Sequence, residues 1–296
     1  MFEEINLKRF VAELSRLTGY SDNLVEKDVW QKLVLQKLYA RRELQDKLVF
    51  KGGTCITRTL LGYYRFSEDL DFAWNTRQPR TFYETFSRHY LRPLSEIGVH
   101  AGKHYGTQGG RLMKWDLTCN SSKLVLSVNF SQELAFPIEH RELFSIKVGR
   151  NERKKLLVLY PDIFSAYYAR LILPCHSPKE IACEKFTAIL TRRYLTKPRD
   201  LLDLFHLKET VDLHALSQDK KSLNKISRLI KSAPAYASTF MERKKNLPAY
   251  LKQLAGEALN EREIYITPID KTELHTFASG VLAPMLENIA KEVASA

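Results

Sequence analysis

Cysteine is scarce in this chain. Four of 296 residues are Cys, at positions 55, 119, 175 and 183, and no pair has the C-x-x-C spacing of a zinc knuckle. A disulfide framework is equally out of keeping with so long and cysteine-poor a chain, so reduced thiols are expected. Gly (12) and Pro (11) are too few for a collagen-like or low-complexity chain. No apolar run approaches the roughly 20 residues that cross a bilayer. The opening MFEEINLKRF places acids where a secretory leader needs a basic region, and no apolar core follows. A cytoplasmic protein that does not engage a membrane is expected. Acidic residues are the minority: 34 Asp+Glu against 46 Lys+Arg leaves a formal charge of +12, a balance that suits a polyanion such as nucleic acid. With 44% apolar and 27% charged residues, the composition is that of a folded chain large enough to bury its own core.

The pattern changes along the chain. Ser21 or Asp22 caps a helix that carries Leu24, Val25, Val29, Leu33, Val34 and Leu38 at helical spacing. Short β-rich runs follow at Leu48–Phe50, Leu70–Ala73, Leu112–Thr118 and Leu124–Phe130. Beyond Pro174 the pattern is helical to the end. Ser177-Pro178-Lys179-Glu180 reads as a capping box with Pro at the first helical position. The spacing predicts an α/β domain over 1–165, with N-terminal helices, and a helical domain over 166–296. Basic clusters stand at Arg150–Lys155, at Arg192, Arg193, Lys197 and Arg199, and at Arg243–Lys245. With no compensating acidic block, they favour a polyanion-binding face. There is no P-loop and no nucleophile elbow.

The informative stretch is Lys51-Gly52-Gly53-Thr54 followed by Arg65-Phe66-Ser67-Glu68-Asp69-Leu70-Asp71-Phe72. An apolar strand that ends in a glycine pair lets the backbone approach a ligand with no Cβ in the way. The helix-compatible segment after it presents free amides suited to phosphate. Asp69 and Asp71 alternate with Leu70, Phe72 and Trp74, so a strand puts both carboxylates on one face. Two like charges there repel unless a cation lies between them. Mg²⁺ fits, since it takes one or two carboxylates together with substrate phosphates. The expected site holds Mg²⁺ on Asp69 and Asp71. Phosphate groups of a substrate are expected at Gly52, Gly53, Thr54 and Ser67, helped by Lys51 or Arg58.

Gly-Gly-Thr followed by Ser-Glu-Asp-Leu-Asp resembles the signature of the DNA polymerase β-like nucleotidyltransferase superfamily. The longer string from Phe50 to Thr54 and from Arg65 to Asp71 resembles the AbiEii family of nucleotidyltransferase toxins, which includes the MenT toxins. Glu26-Lys27-Asp28-Val29-Trp30, Cys183-Glu184-Lys185, and Lys197-Pro198-Arg199-Asp200-Leu201-Leu202-Asp203-Leu204 are similar to further segments of that family. The resemblance spans roughly residues 20 to 205. It implies an α+β fold: a polymerase β-like lobe with a mixed sheet, then an all-helical C-terminal lobe. Two positions depart from the pattern. Arg58 stands where the family carries a lysine, and Ser127 stands where members often have a glutamate. A third carboxylate is therefore missing from that strand. Asp116, in the neighbouring run, is either its replacement or a solvated strand acid.

In the helical half, Lys185 lies at the inner edge of the apolar sector formed by Ile181, Ala182, Phe186, Ile189 and Leu190. Such a lysine either snorkels outward or meets a buried anion, and the resemblance implies contact with nucleotide phosphates, making Lys185 catalytic beside Asp69 and Asp71. Asp200 and Asp203 share a helix face. Asp203, between two leucines, either holds Lys185 or binds the nucleotide. The function so implied is metal-dependent transfer of a nucleotide from NTP to RNA, at the 3′ end of a tRNA, which blocks translation, with a cognate antitoxin as a further partner. The competing readings are nucleotidyl or phosphoryl transfer to a protein such as an antitoxin, and a non-catalytic protein that binds RNA or antitoxin.

Overall fold

The computed structural model describes residues 3–76, 82–107, 112–120, 122–130, 134–192, 198–259 and 266–295. The chain divides into two units. One comprises residues 1–62, 66–132 and 140–175, and the other residues 63–65, 133–139 and 176–296.

The first unit is organised by one mixed sheet. Its strands are β1 (Leu48–Lys51), β2 (Asp69–Trp74), β3 (Val99–Thr107), β4 (Leu112–Cys119), β5 (Ser122–Asn129), β6 (Glu139–Glu142) and β7 (Ile172–Cys175), in the order β3-β4-β5-β2-β1-β7-β6. β2 runs antiparallel to β1 and parallel to β5, so the strand that carries both aspartates lies inside the sheet. Leu70, Phe72, Leu124, Leu126 and Val128 are all buried on one face. At roughly 2 kcal/mol for each such side chain, turning that face to water would forfeit on the order of 10 kcal/mol. This preference sends Asp69 and Asp71 to the other face.

The helices of this unit are α1 (Glu4–Thr18), α2 (Asp22–Tyr39), α3 (Arg42–Gln45), α4 (Gly52–Cys55), α5 (Phe82–Phe86), α6 (Arg150–Leu159) and α7 (Pro161–Tyr168). α2 buries Val25, Val29, Trp30, Leu33, Val34, Leu35 and Leu38 but also Asp28, Gln31 and Lys32. Its polar side chains are thus inside the unit and need partners there. α4 passes directly into a wider π turn over Ile56–Leu60, which gives a helical stretch immediately after β1. Ser21 holds the N-cap position of α2, without a side-chain capping bond.

The second unit is helical: α8 (Pro178–Thr191), α9 (Arg199–Leu207), α10 (Leu213–Gln218), α11 (Lys220–Lys231), α12 (Pro234–Arg243), α13 (Leu247–Ala258), α14 (Lys271–Thr276) and α15 (Ala283–Ser295). α8 packs against α9, α11 and α12 and buries Ile181, Phe186, Ile189 and Leu190. Ser177 caps it by accepting from the Glu180 amide, with Pro178 in the first turn. The reciprocal half of the expected capping box is not what Glu180 makes: its carboxylate accepts from the amides of Ala135 and Phe136 and pairs with the buried Lys225. A buried carboxylate takes a buried ammonium within reach, because an unpaired charge there would be costly.

Four expected strands are present, each within two residues of its predicted ends. β3, β6 and β7 were not predicted. β3 reads VHAGKHYGT, with two glycines and no alternation of apolar residues, and it is a strand because β4 supplies its hydrogen bonds. The four cysteines are buried and carry no disulfide. Among the described residues, no helix is long and apolar enough to cross a membrane.

Candidate active site

Gly52 has φ +76°, a left-handed conformation that L side chains rarely adopt, and a Cβ there would lie 2.6 Å from Asp71 Oδ2. The glycine turn and the strand carboxylate are therefore packed directly together. Thr54, next but one in the turn, is buried. Its hydroxyl is bonded to Ser67 Oγ at 2.9 Å and to the Asp69 carbonyl. The turn thus fixes the backbone that leads into the two aspartates. Gln31 Nε2 donates to the Ser67 carbonyl at 2.7 Å, and Lys27 pairs with Glu68. α2 holds the same segment from the other side.

Register completes the arrangement. Lys51 lies opposite Asp71 on β1, Ser127 beside Asp71 on β5, Lys114 opposite Ser127 on β4, and Tyr105 opposite Lys114 on β3. These five residues form one row across the sheet and share a face. Ser127 Oγ donates to Asp71 Oδ1. In the adjacent row Asp69 stands beside Val125, and Asp116 opposite Val125. Asp116 thus shares the face of Asp69, displaced by a whole intervening strand, or about 10 Å between Cα atoms. The Tyr105 phenol is raised by desolvation and further by the Asp116 and Asp69 charges, which places that hydroxyl in the field of both carboxylates.

Among the described residues no group of three or more His, Cys, Asp and Glu side chains is arranged to hold a metal ion. The residues present fit Mg²⁺ of the kind that keeps most of its ligands outside the protein: two carboxylates on one strand face, beside a cradle that a single Cβ would fill. Substrate phosphate and water oxygens would complete the shell.

Arg58 lies in the π turn and is 1% exposed. Its guanidinium meets the Asp28 carboxylate at 3.3 Å, the Asp28 carbonyl at 3.0 Å and the Phe144 carbonyl at 3.0 Å. Tyr167 donates to the other Asp28 oxygen at 2.5 Å. This arrangement braces the stretch after the glycine turn against α2.

In the helical unit Lys185 is buried. Its ammonium lies 2.7 Å from Asp200 and 2.5 Å from Asp203. Asp203 also receives Arg65 in a two-pronged bond, at 2.8 and 3.0 Å, and the Tyr64 hydroxyl at 2.5 Å. Arg192 pairs with the second oxygen of Asp200. Burial alone would lower the Lys185 pKa, but the charges of Asp200 and Asp203 outweigh it and the pKa is raised. Burial alone would raise Asp203, and the Arg65 and Lys185 cations hold it well below the ordinary carboxylate range. Of the two sequence alternatives for Asp203, the structure displays the hold on Lys185.

Lys51, Gly52, Gly53, Thr54, Ser67, Asp69 and Asp71 are thus brought together in the first unit. Arg58 lies in a neighbouring network of that unit, and Lys185 with Asp203 form a cluster in the second. Sequence reasoning gave no role to Asp28, Gln31, Tyr64 or Arg65. Asp28 and Arg65 stand within the quoted motifs, and that position was the available signal. Arg193 and Lys197 lie outside the described residues. Arg243, counted in a basic cluster, donates to the Ile189 and Arg192 carbonyls and so caps the end of α8.

A family model described as nucleotidyl transferase AbiEii toxin, type IV TA system, matches residues 34–233. No curated protein matches the chain.

Proposed function

The chain belongs to the AbiEii family of nucleotidyl transferase toxins, and from that premise we propose that it transfers a nucleotide from an NTP to the 3′ hydroxyl of a tRNA, in the cytoplasm, and so blocks translation. The observation that carries the reading is the packing of Gly52 against Asp71, with Lys51 opposite and Asp69 on the same strand face. Such a turn admits phosphates, and such a face assembles the charges that phosphoryl chemistry requires. Asp69 and Asp71 are the residues to hold Mg²⁺, which when bound neutralises charge that develops on the phosphates.

The acceptor oxygen attacks the α-phosphorus in line. The bond from the α-phosphorus to the oxygen it shares with the β-phosphate breaks, pyrophosphate leaves, and the acceptor proton passes to solvent. Backbone amides of Gly52 and Gly53, at the start of the helical stretch, orient the triphosphate. Thr54 holds Ser67 and the approach to Asp69 in place, and Ser67 contacts phosphate. Lys51 supplies the cation of this unit, since the Arg58 guanidinium is placed on Asp28 and Phe144. The role proposed for Lys185 is a charge that favours turnover, held in position by Asp200 and Asp203. A cognate antitoxin belongs to the same proposal.

The test is incubation with each labelled NTP, Mg²⁺ and total RNA, followed by separation of RNA from protein. Label is expected in the tRNA band, and Asp69→Asn is expected to abolish it while the protein remains folded. Near wild-type labelling by folded Asp69→Asn protein would sink the mechanism. Label on protein alone would replace the RNA acceptor with a protein acceptor.

A further inference from the structure

The carboxylate row does not stop at the carboxylates. Beyond Ser127 it continues to Lys114 on β4 and to Tyr105 on β3, both on the face of Asp71. Tyr105 is 42% exposed, although it is a large aromatic on a strand. The opposite face of the same strands buries Trp115, Leu117, Leu124 and Leu126, whereas on this face Tyr105 and Asp116 are exposed and Lys114 is half-buried.

Resting on the reading above, we infer that Lys114 and Tyr105 form the subsite for the 3′-terminal nucleotides of a single-stranded RNA acceptor. At one strand spacing per step, Lys114 and Tyr105 stand about 10 and about 14 Å from Asp71. That is the reach of an extended nucleotide or two leading away from the reacting hydroxyl. An ammonium suits a backbone phosphate as a point charge, and an exposed phenol ring suits a base, since stacking is tolerant of base identity. Asp116 argues for the path: its exposed carboxylate repels phosphate from the adjacent row and leaves the Lys114 row to the backbone. The combination recognises the strand without reading its sequence. A strip that bound the NTP would instead sit on the glycine-turn side of Asp71, where Lys51 is.

The test is steady-state kinetics of the full chain with labelled NTP and deproteinised tRNA, with folding checked by circular dichroism. Tyr105→Ala is expected to raise the KM for RNA about tenfold with the KM for NTP unchanged, and Tyr105→Phe to restore it, because the ring and not the hydroxyl carries the contact. Lys114→Ala is expected to reduce the log–log salt slope of RNA binding by about 0.7. If Tyr105→Ala keeps the wild-type KM for RNA and Lys114→Ala keeps the wild-type slope, while Asp69→Asn still abolishes labelling, the strip is plain surface and the inference is overturned alone. If Asp69→Asn labels RNA as the wild type does, the reading of the active site has failed and takes the subsite with it.

Discussion

Gly52 leaves the Asp71 carboxylate room that no other residue would: a Cβ at position 52 would lie 2.6 Å from Asp71 Oδ2. Gly62 provides the control, with φ +77° and nothing within 4 Å of its would-be Cβ. Both positions carry the backbone strain of an L residue in the left-handed region, about 1–2 kcal/mol. Gly62→Ala is expected to lower stability by that amount and to leave turnover intact. Gly52→Ala carries the same strain and also displaces Asp71, so turnover should fall more than 100-fold. Equal activity in the two variants would show that the close approach is not needed.

Lys185 and Asp203 separate a chemical from a structural role. Asp203→Ala leaves the buried Arg65 and Lys185 cations short of their anion and is expected to destabilise by about 3–5 kcal/mol. Lys185→Met keeps much of the side-chain volume, and its deficit should appear mainly in kcat. Equal losses of stability and activity in Lys185→Met would make it structural only. The pH dependence follows from Asp203, whose folded pKa is depressed. Below its ordinary pKa the unfolded state binds the proton more readily, so the stability Asp203 contributes is present at neutral pH and is lost progressively below about pH 5. Urea unfolding between pH 3 and 7 should show that fall, and Asp203→Asn should flatten it.

Lys32 has the opposite sign. It is 1% exposed, and burial, reinforced by Arg58, pushes it down to about 8 against the partial opposition of Asp28 and Glu142. Between that value and 10.5 the unfolded chain holds a proton that the folded one has lost, so stability rises with pH across this window. At neutral pH the penalty is present in full, on the order of 3 kcal/mol. Lys32→Met is expected to raise the Tm at pH 7, with the advantage fading towards pH 10. A variant no more stable at pH 7 would show that the buried charge is better solvated than its surroundings suggest.

The basic residues of α6 are not equivalent. Lys155 pairs with Glu13 at 2.8 Å, and the Arg153 guanidinium lies 4.6 Å from the Tyr168 ring centroid, whereas Arg150 and Lys154 are exposed on the same helix. Replacing Arg150 and Lys154 with glutamate is expected to weaken RNA binding and to flatten its salt slope by about 0.7 for each phosphate that is no longer neutralised. An unchanged slope would assign this helix to solvated surface. Arg192 is a poorer probe, because it pairs with Asp200 beside Lys185, and its reversal would disturb that cluster too.

What the sequence made legible was local. Period-two alternation placed Asp69 and Asp71 on one face, and the glycine pair marked the turn, because both signals lie within a few residues. The bonds that hold the turn were not legible. Thr54 to Asp69, Arg58 to Phe144 and Arg65 to Asp203 join residues 15, 86 and 138 positions apart, and no spacing rule reaches that far. β3 was missed for the same reason: its strand character comes from pairing with β4 and not from its own residues. Lys185 was read as either snorkelling or anion-bound, and only the positions of Asp200 and Asp203 decide between those fates.

The row that runs from Lys51 through Asp71, Ser127 and Lys114 to Tyr105 also governs where this chain can change length. β2 is paired on both sides, antiparallel to β1 and parallel to β5. A single residue inserted or deleted within it would rotate every later side chain to the opposite face, bringing aspartate inward and phenylalanine out. Strand lengths in this part of the sheet are therefore closed to gradual change, and length variation among relatives should collect in the connections between strands.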